Sequence, residues 1–145
     1  MHFEDRFVIA APVDRVWQFI TNPSDFVKAV PDLQRHEIKD DRHFSIDFKM
    51  GLGMIRGTIK MNFEFKELQP KSLIKLAGKG SGLQSTADLT ITLNLAPHEA
   101  GTQVSWSADL IVAGTAMSIG SRFIEPTTRA KVTEIVGGIK KAMEN

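Results

Sequence analysis

Four histidines, His2, His36, His43 and His98, are the side chains best suited to proton transfer or metal ligation at neutral pH. None of them stands at a two-histidine ligand spacing, and none joins an H-E-x-x-H arrangement. His36, Glu37, Asp40, Asp41 and His43 cluster in sequence and have the donor atoms for a cation. They also surround an aspartate pair suited to a hairpin turn, and a solvated hairpin accounts for the cluster without a metal. The chain has no cysteine, which removes disulfides, thiol catalysis and thiolate metal sites, and no tyrosine, a common acid or oxyanion donor. No G-x-S-x-G elbow is present. The run Gly78-Lys79-Gly80-Ser81-Gly82 looks superficially like a phosphate loop. It lacks the Walker spacing and leads into no helix, so it reads as a hairpin turn. Asp5 shares strand parity with Phe3 and Phe7 and would face inward. A buried carboxylate there would have a raised pKa and could work as an acid; a frayed or bulged strand end is the plainer reading. These residues point to no catalytic constellation, no metal site and no cofactor.

What is left is apolar shape, and the elements that would create it follow from periodicity. Phe3, Phe7 and Ile9 mark a first strand. Pro12 opens a helix with Val13, Val16, Trp17 and Ile20 on one face. Asn22 and Pro23 cap and start a second short helix through Val30. From Gln34 the period becomes two. Phe44, Ile46 and Phe48 alternate with polar residues; Gly51 and Gly53 make a turn; Ile55, Gly57, Ile59, Met61, Phe63 and Phe65 then share one face. Ile74 and Leu76 form a shorter strand closed by Gly78, Gly80 and Gly82. Leu83, Ser85, Ala87, Leu89, Ile91, Leu93 and Leu95 alternate next, and Val104, Trp106, Ala108, Leu110 and Val112 form the inner face of the last strand. A polar face repeated on strand after strand means an antiparallel sheet with one wet side.

After Gly114 the period is helical, with a stripe through Met117, Gly120, Phe123, Ile124, Thr127, Ala130, Ile135, Ile139 and Met143. Pro126 lies inside it, and a kink or break is expected just before that residue. One long helix must bury its stripe on the single apolar sheet face. The expected architecture is α+β: a helix-grip fold in which a curved antiparallel sheet of about seven strands wraps a long C-terminal helix, with two short helices after the first strand. The 145 residues make one domain, 1–145, with no internal repeat or linker.

Charge narrows the partners. Lys and Arg number 18 against 17 Asp and Glu, with no long basic run, so a nucleic-acid footprint is not supported. No stretch approaches the ~18 uninterrupted apolar residues of a membrane span. Met1 to Arg6 are charged and lack an apolar signal core, so a cytoplasmic location is expected.

Two features carry the functional reading. The inward positions mix bulky residues with Gly57, Ser85, Ala87 and Ala108, and Ala116 and Gly120 are small on the helix. Small residues facing each other leave either a cavity or a close helix approach, and pattern alone does not separate the two. A cavity would be lined by Ile59, Met61, Phe63, Leu89, Ile91, Trp106, Ala108, Met117, Gly120, Phe123 and Ile124. The hairpin Met50-Gly51-Leu52-Gly53-Met54-Ile55 is apolar at its tip and flanked by Lys49 and Arg56. Met50, Leu52 and Met54 would serve as a pocket gate or as a docking surface, suited to weak, reversible contact with an anionic membrane or an acidic partner. The alternative is a tip folded back over its own domain.

The order of several motifs resembles a known family. Ala11-Pro12, Val16-Trp17, Asn22-Pro23 and Val30-Pro31 come first. Lys49-Met50-Gly51-Leu52-Gly53 with Gly57, then Gly78-Lys79-Gly80, Gly101-Thr102, Val112-Ala113-Gly114 and Gly120-Ser121-Arg122 follow. Together they resemble the carbon monoxide dehydrogenase CoxG-like branch of the START-like, or SRPBCC, superfamily over nearly the whole chain. The resemblance implies a helix-grip domain with an apolar cavity. It also implies an accessory role beside a molybdenum-containing CO dehydrogenase-type hydroxylase, in recruitment, maturation or electron-acceptor delivery, with a quinone- or lipid-like ligand. Asp32 departs from the glycine common in the family, and the tail that many members use for membrane attachment is not seen before Asn145. The residues thus favour a non-catalytic binder of an apolar small molecule. The alternatives are a START-like enzyme, a cyclase or hydrolase, which would need inward polar pairs, or a protein-binding accessory with a filled core.

Overall fold

The structure is a computed structural model that describes residues 1–52 and 54–144, with the side chains of Leu52, Ile55 and residues 116–121 outside the description. The chain runs β1 (His2–Ile9), α1 (Val13–Thr21), α2 (Pro23–Phe26), a 3-10 turn (Val27–Ala29), β2 (Leu33–Ile38), β3 (His43–Leu52), β4 (Ile55–Gln69), β5 (Leu73–Gly82), β6 (Ser85–His98), β7 (Gly101–Gly114) and α3 (Thr115–Glu144). The strands form one antiparallel seven-stranded sheet in the order β1-β7-β6-β5-β4-β3-β2. All neighbours from β2 to β7 are joined by hairpins, and β1 pairs with β7, so the first and last strands meet. The expected helix-grip fold is the one observed.

Each element has a local cause. Asn22 accepts a hydrogen bond from the Ser24 amide at 3.0 Å and Pro23 fills the first helical position, which starts α2. Asp40 turns the chain between β2 and β3 by accepting from the Arg42 and His43 amides at 2.8 and 2.7 Å. Asp32 has φ +58, a left-handed conformation that glycine adopts freely and aspartate tolerates.

Three expectations need correction. The run from Gly78 to Gly82 is not a turn: β5 continues through it. The turn lies at Leu83 and Gln84, whose φ values of +55 and +56 are those of a two-residue type I′ connection. Nothing in Leu-Gln announces such a turn, whereas the preceding glycines do. Pro126 does not break α3, which runs unbroken from Thr115 to Glu144. Pro126 and Arg122 are both exposed, on the side of α3 away from the cavity lining. Asp5 is exposed despite its parity, and accepts from the Arg6 amide at 2.8 Å.

The helix crosses the concave face of the sheet. Its apolar edge runs through Ile124, Val132, Ile135, Ile139 and Met143, with Ile124, Ile139 and Met143 buried. Thr127 and Ala130, expected on this stripe, lie on the flank instead, where they line an outer groove. At the far end α3 comes so close to the 3-10 turn that a Cβ on Gly138 would stand 2.4 Å from the Ala29 carbonyl oxygen. There the Glu144 carboxylate also accepts from the Ala10 amide at 2.8 Å. The helix is therefore clamped at its C-terminal half.

Candidate ligand-binding site

Buried side chains fall into two clusters rather than one. The larger joins α1, the 3-10 turn, the C-terminal half of α3, strands β3 to β5, and Ile9, Leu95 and Val104 of β1, β6 and β7. The smaller gathers Phe3, Ala108, Leu110 and Ile124. Between them, on β6, the inward side chains of Ala87, Leu89, Ile91 and Leu93 are only half-buried, although strands flank β6 on both sides. A half-buried residue in the middle of a covered sheet faces a void. That void is a cavity of about 280 Å³ with an almost wholly apolar wall.

The sheet supplies most of the wall. Among the residues expected to line a cavity, Ile59, Met61 and Phe63 reach it from β4, Leu89 and Ile91 from β6, Trp106 and Ala108 from β7, and Ile124 from α3. Phe123 does not: it packs beside the smaller cluster, with the Arg122 guanidinium 5.0 Å from its ring centre. Met117 and Gly120 lie outside the described side chains. One end of the wall is aromatic. Phe44 stacks on Phe63 with ring centres 5.3 Å apart and meets Phe26 edge-on at 6.1 Å.

Several lining residues escape a reading of the sequence. Gly80 faces inward because β5 extends past Leu76 in unbroken alternation. A Cβ at Gly80 would stand 2.3 Å from the Met61 sulfur, so the missing side chain is what gives Met61 its place. Thr128 and Lys131 line the cavity at helical spacing between Ile124 and Ile135, the latter already on the expected stripe. The i, i+4 spacing is a usable signal for them; the charge of Lys131 hides it.

The β3–β4 hairpin stands beside this wall. Met50 lines the cavity, while Met54 at the tip is 99% exposed and Lys49 and Arg56 are exposed next to it. The side chain of Leu52 lies outside the description. A second, more polar groove of about 590 Å³ runs between this hairpin and α3, and shares Met50 and Lys131 with the cavity.

The sequence-adjacent His36, Glu37, Asp40, Asp41 and His43 lie along the exposed β2–β3 hairpin, away from the cavity wall. Among the described residues, no three His, Asp or Glu side chains are placed to hold a metal ion together. Asp40 is held below the usual carboxylate range, first by the Arg42 amide and then by the His43 ring. Glu64 is lowered chiefly by its hydrogen bond from Lys66. His2 is raised, first by Asp109 at 2.7 Å and then by Glu4 at 3.1 Å. These are surface arrangements, and none faces the cavity. Among the described residues no helix is long and apolar enough to cross a membrane.

A seven-stranded sheet gripping one long helix around an apolar cavity defines a helix-grip protein. A conserved protein from Geobacillus kaustophilus has this fold at a TM-score of 0.89 and 19% identity, over 99% of this chain and 95% of that one. The Zhui aromatase/cyclase from a Streptomyces species aligns at 0.74 and 13% identity, over 99% and 93% of the two chains. A protein from Chromobacterium violaceum aligns at 0.70 and 16%, over 100% and 99%. No curated protein matches the chain. The family of the carbon monoxide dehydrogenase G subunit (CoxG) matches residues 6–144, and the chain belongs to that family.

Proposed function

We propose that this protein is a non-catalytic carrier of an apolar small molecule, quinone- or lipid-like, that serves a molybdenum-containing CO dehydrogenase-type hydroxylase. The observation that carries the reading is the cavity itself. The hollow of about 280 Å³ offers water few polar partners along its almost wholly apolar wall, so an apolar molecule displaces solvent from it favourably. An apolar hollow of this size, lined from several elements, is better explained as a place for a ligand than as a packing defect. Among the described residues its wall carries no histidine or carboxylate, the groups most used in general acid–base chemistry, and this favours holding over converting. The family's description supports the accessory role beside CO dehydrogenase.

The test is extraction and mass spectrometry of the purified protein, followed by thermal unfolding of the stripped protein with an apolar fluorescent probe. An apolar compound should co-purify. Probe at about 100 times its Kd should stabilise the protein by about 2.7 kcal/mol and raise Tm by several degrees. Ala108→Trp, which fills the smaller-cluster end of the void, should abolish most of that rise. No bound compound and no probe-induced rise would remove the reading.

A further inference from the structure

The cavity has one charged side chain among its described lining residues, Lys131. It follows Thr128 and precedes Ile135 on the cavity edge of α3, and only 13% of its side chain is exposed. Its ammonium lies 5.6 Å from the ring centre of Phe48, itself part of the cavity wall. A lysine this far buried needs partners for its charge. Its ion-pair partners hold it loosely from outside: Asp32 at 3.5 Å and Glu134 at 3.4 Å, with side chains 63% and 51% exposed. Lys131 is also the wall between the cavity and the polar groove, which Lys49 and Arg56 line together with Asp32 and Glu134.

We infer that Lys131 anchors the head of the bound molecule, and that the ligand is an apolar body ending in an anionic oxygen head such as a carboxylate. The inference rests on the carrier reading and adds the ligand's chemical class. With the body in the cavity, the head meets Nζ where apolar wall gives way to groove. The contacts it displaces are long for charge-assisted hydrogen bonds, 3.5 and 3.4 Å, and leave room for a shorter one to the ligand head. Asp32 and Glu134 are free to turn to water because they are already half or more exposed. Asp32 therefore acts as a competitor for the ammonium, supplied at a position whose left-handed backbone favours glycine.

The experiment is calorimetric titration of the stripped protein with dodecanoate, methyl dodecanoate and a neutral quinone carrying an alkyl chain of similar length. The wild-type protein should bind dodecanoate at least tenfold more tightly than the ester. Lys131→Met keeps the apolar stem; it should erase that preference and leave ester and quinone affinity within about twofold. Asp32→Asn tolerates the same backbone; it should tighten dodecanoate several-fold and leave the ester unchanged. Ester binding with no preference for the carboxylate in the wild type would overturn the anchor and leave the carrier reading standing. So would dodecanoate binding unchanged in Lys131→Met, or a larger loss for the quinone than for dodecanoate. If none of the three probes binds the wild type, the anchor and the carrier reading both fall.

Discussion

Gly80 shows how one missing side chain shapes the site. The Met61 thioether occupies the space that a Cβ would take, 2.3 Å from its sulfur. A methionine can move, and the nearest free volume is the cavity. Gly80→Ala should therefore push Met61 inward, cost about 1–3 kcal/mol of stability and weaken an apolar probe several-fold. Adding Met61→Ala should restore the probe affinity. Titrating the probe into the single and double variants decides it, since an effect on folding alone would not be rescued by a second truncation in the core.

At the scale of elements, the β3–β4 hairpin and α3 each carry a prediction. Met54 is 99% exposed, so it contributes nothing to packing. It projects beside Lys49 and Arg56, an apolar tip with a basic rim, which suits shallow contact with anionic lipid. Met54→Asp should leave Tm within a degree or so while slowing transfer of an apolar probe from anionic vesicles. The wild-type transfer should itself slow as salt is raised. Equal rates for the two proteins would exclude the tip from docking. In α3, Pro126 forfeits a backbone hydrogen bond without breaking the helix. Pro126→Ala restores that bond on an exposed face and should stabilise the protein by about 1–3 kcal/mol in denaturant unfolding. A loss of stability would mean that the proline sets a bend that the fold uses.

Across the molecule, the shifted titrations are all at the surface and act in opposite directions. His2 is raised above 6.5 by Asp109 and Glu4. Its contribution is fully present below the unfolded value and is lost as pH rises through the higher folded one. Asp40 and Glu64 are lowered from 3.8 and 4.5, so theirs is present above those values and is lost as pH falls through the folded ones. Thermal stability should therefore be greatest in the weakly acidic range between these transitions and decline gently on both sides. Asp109→Asn should bring the His2 titration, followed by NMR, down toward its ordinary value and remove part of the decline above neutrality. An unmoved His2 titration would show that the pair does not persist in solution.

The order of elements, the inward parity of each long strand and the existence of one long final helix are all readable in advance, because periods of two and 3.6 are local properties of the chain. The cavity positions of Ile59, Met61, Phe63, Leu89, Ile91, Trp106, Ala108 and Ile124 follow from that parity. Other features depend on how elements meet. Phe123 is only about 100° around the helix from Ile124, and the sheet's curvature decides which of the two faces the void. Lys131 has the look of a solvated lysine until β3 and the segment at Asp32 enclose its stem. The strand through Gly78 and Gly80 exists because β4 and β6 flank it, against the local preference of glycine. Cavity or tight core, left open by the pattern, depends on the separation of helix and sheet. The clamp at Gly138 and the bulk of the facing side chains set that distance together, and no single segment encodes it.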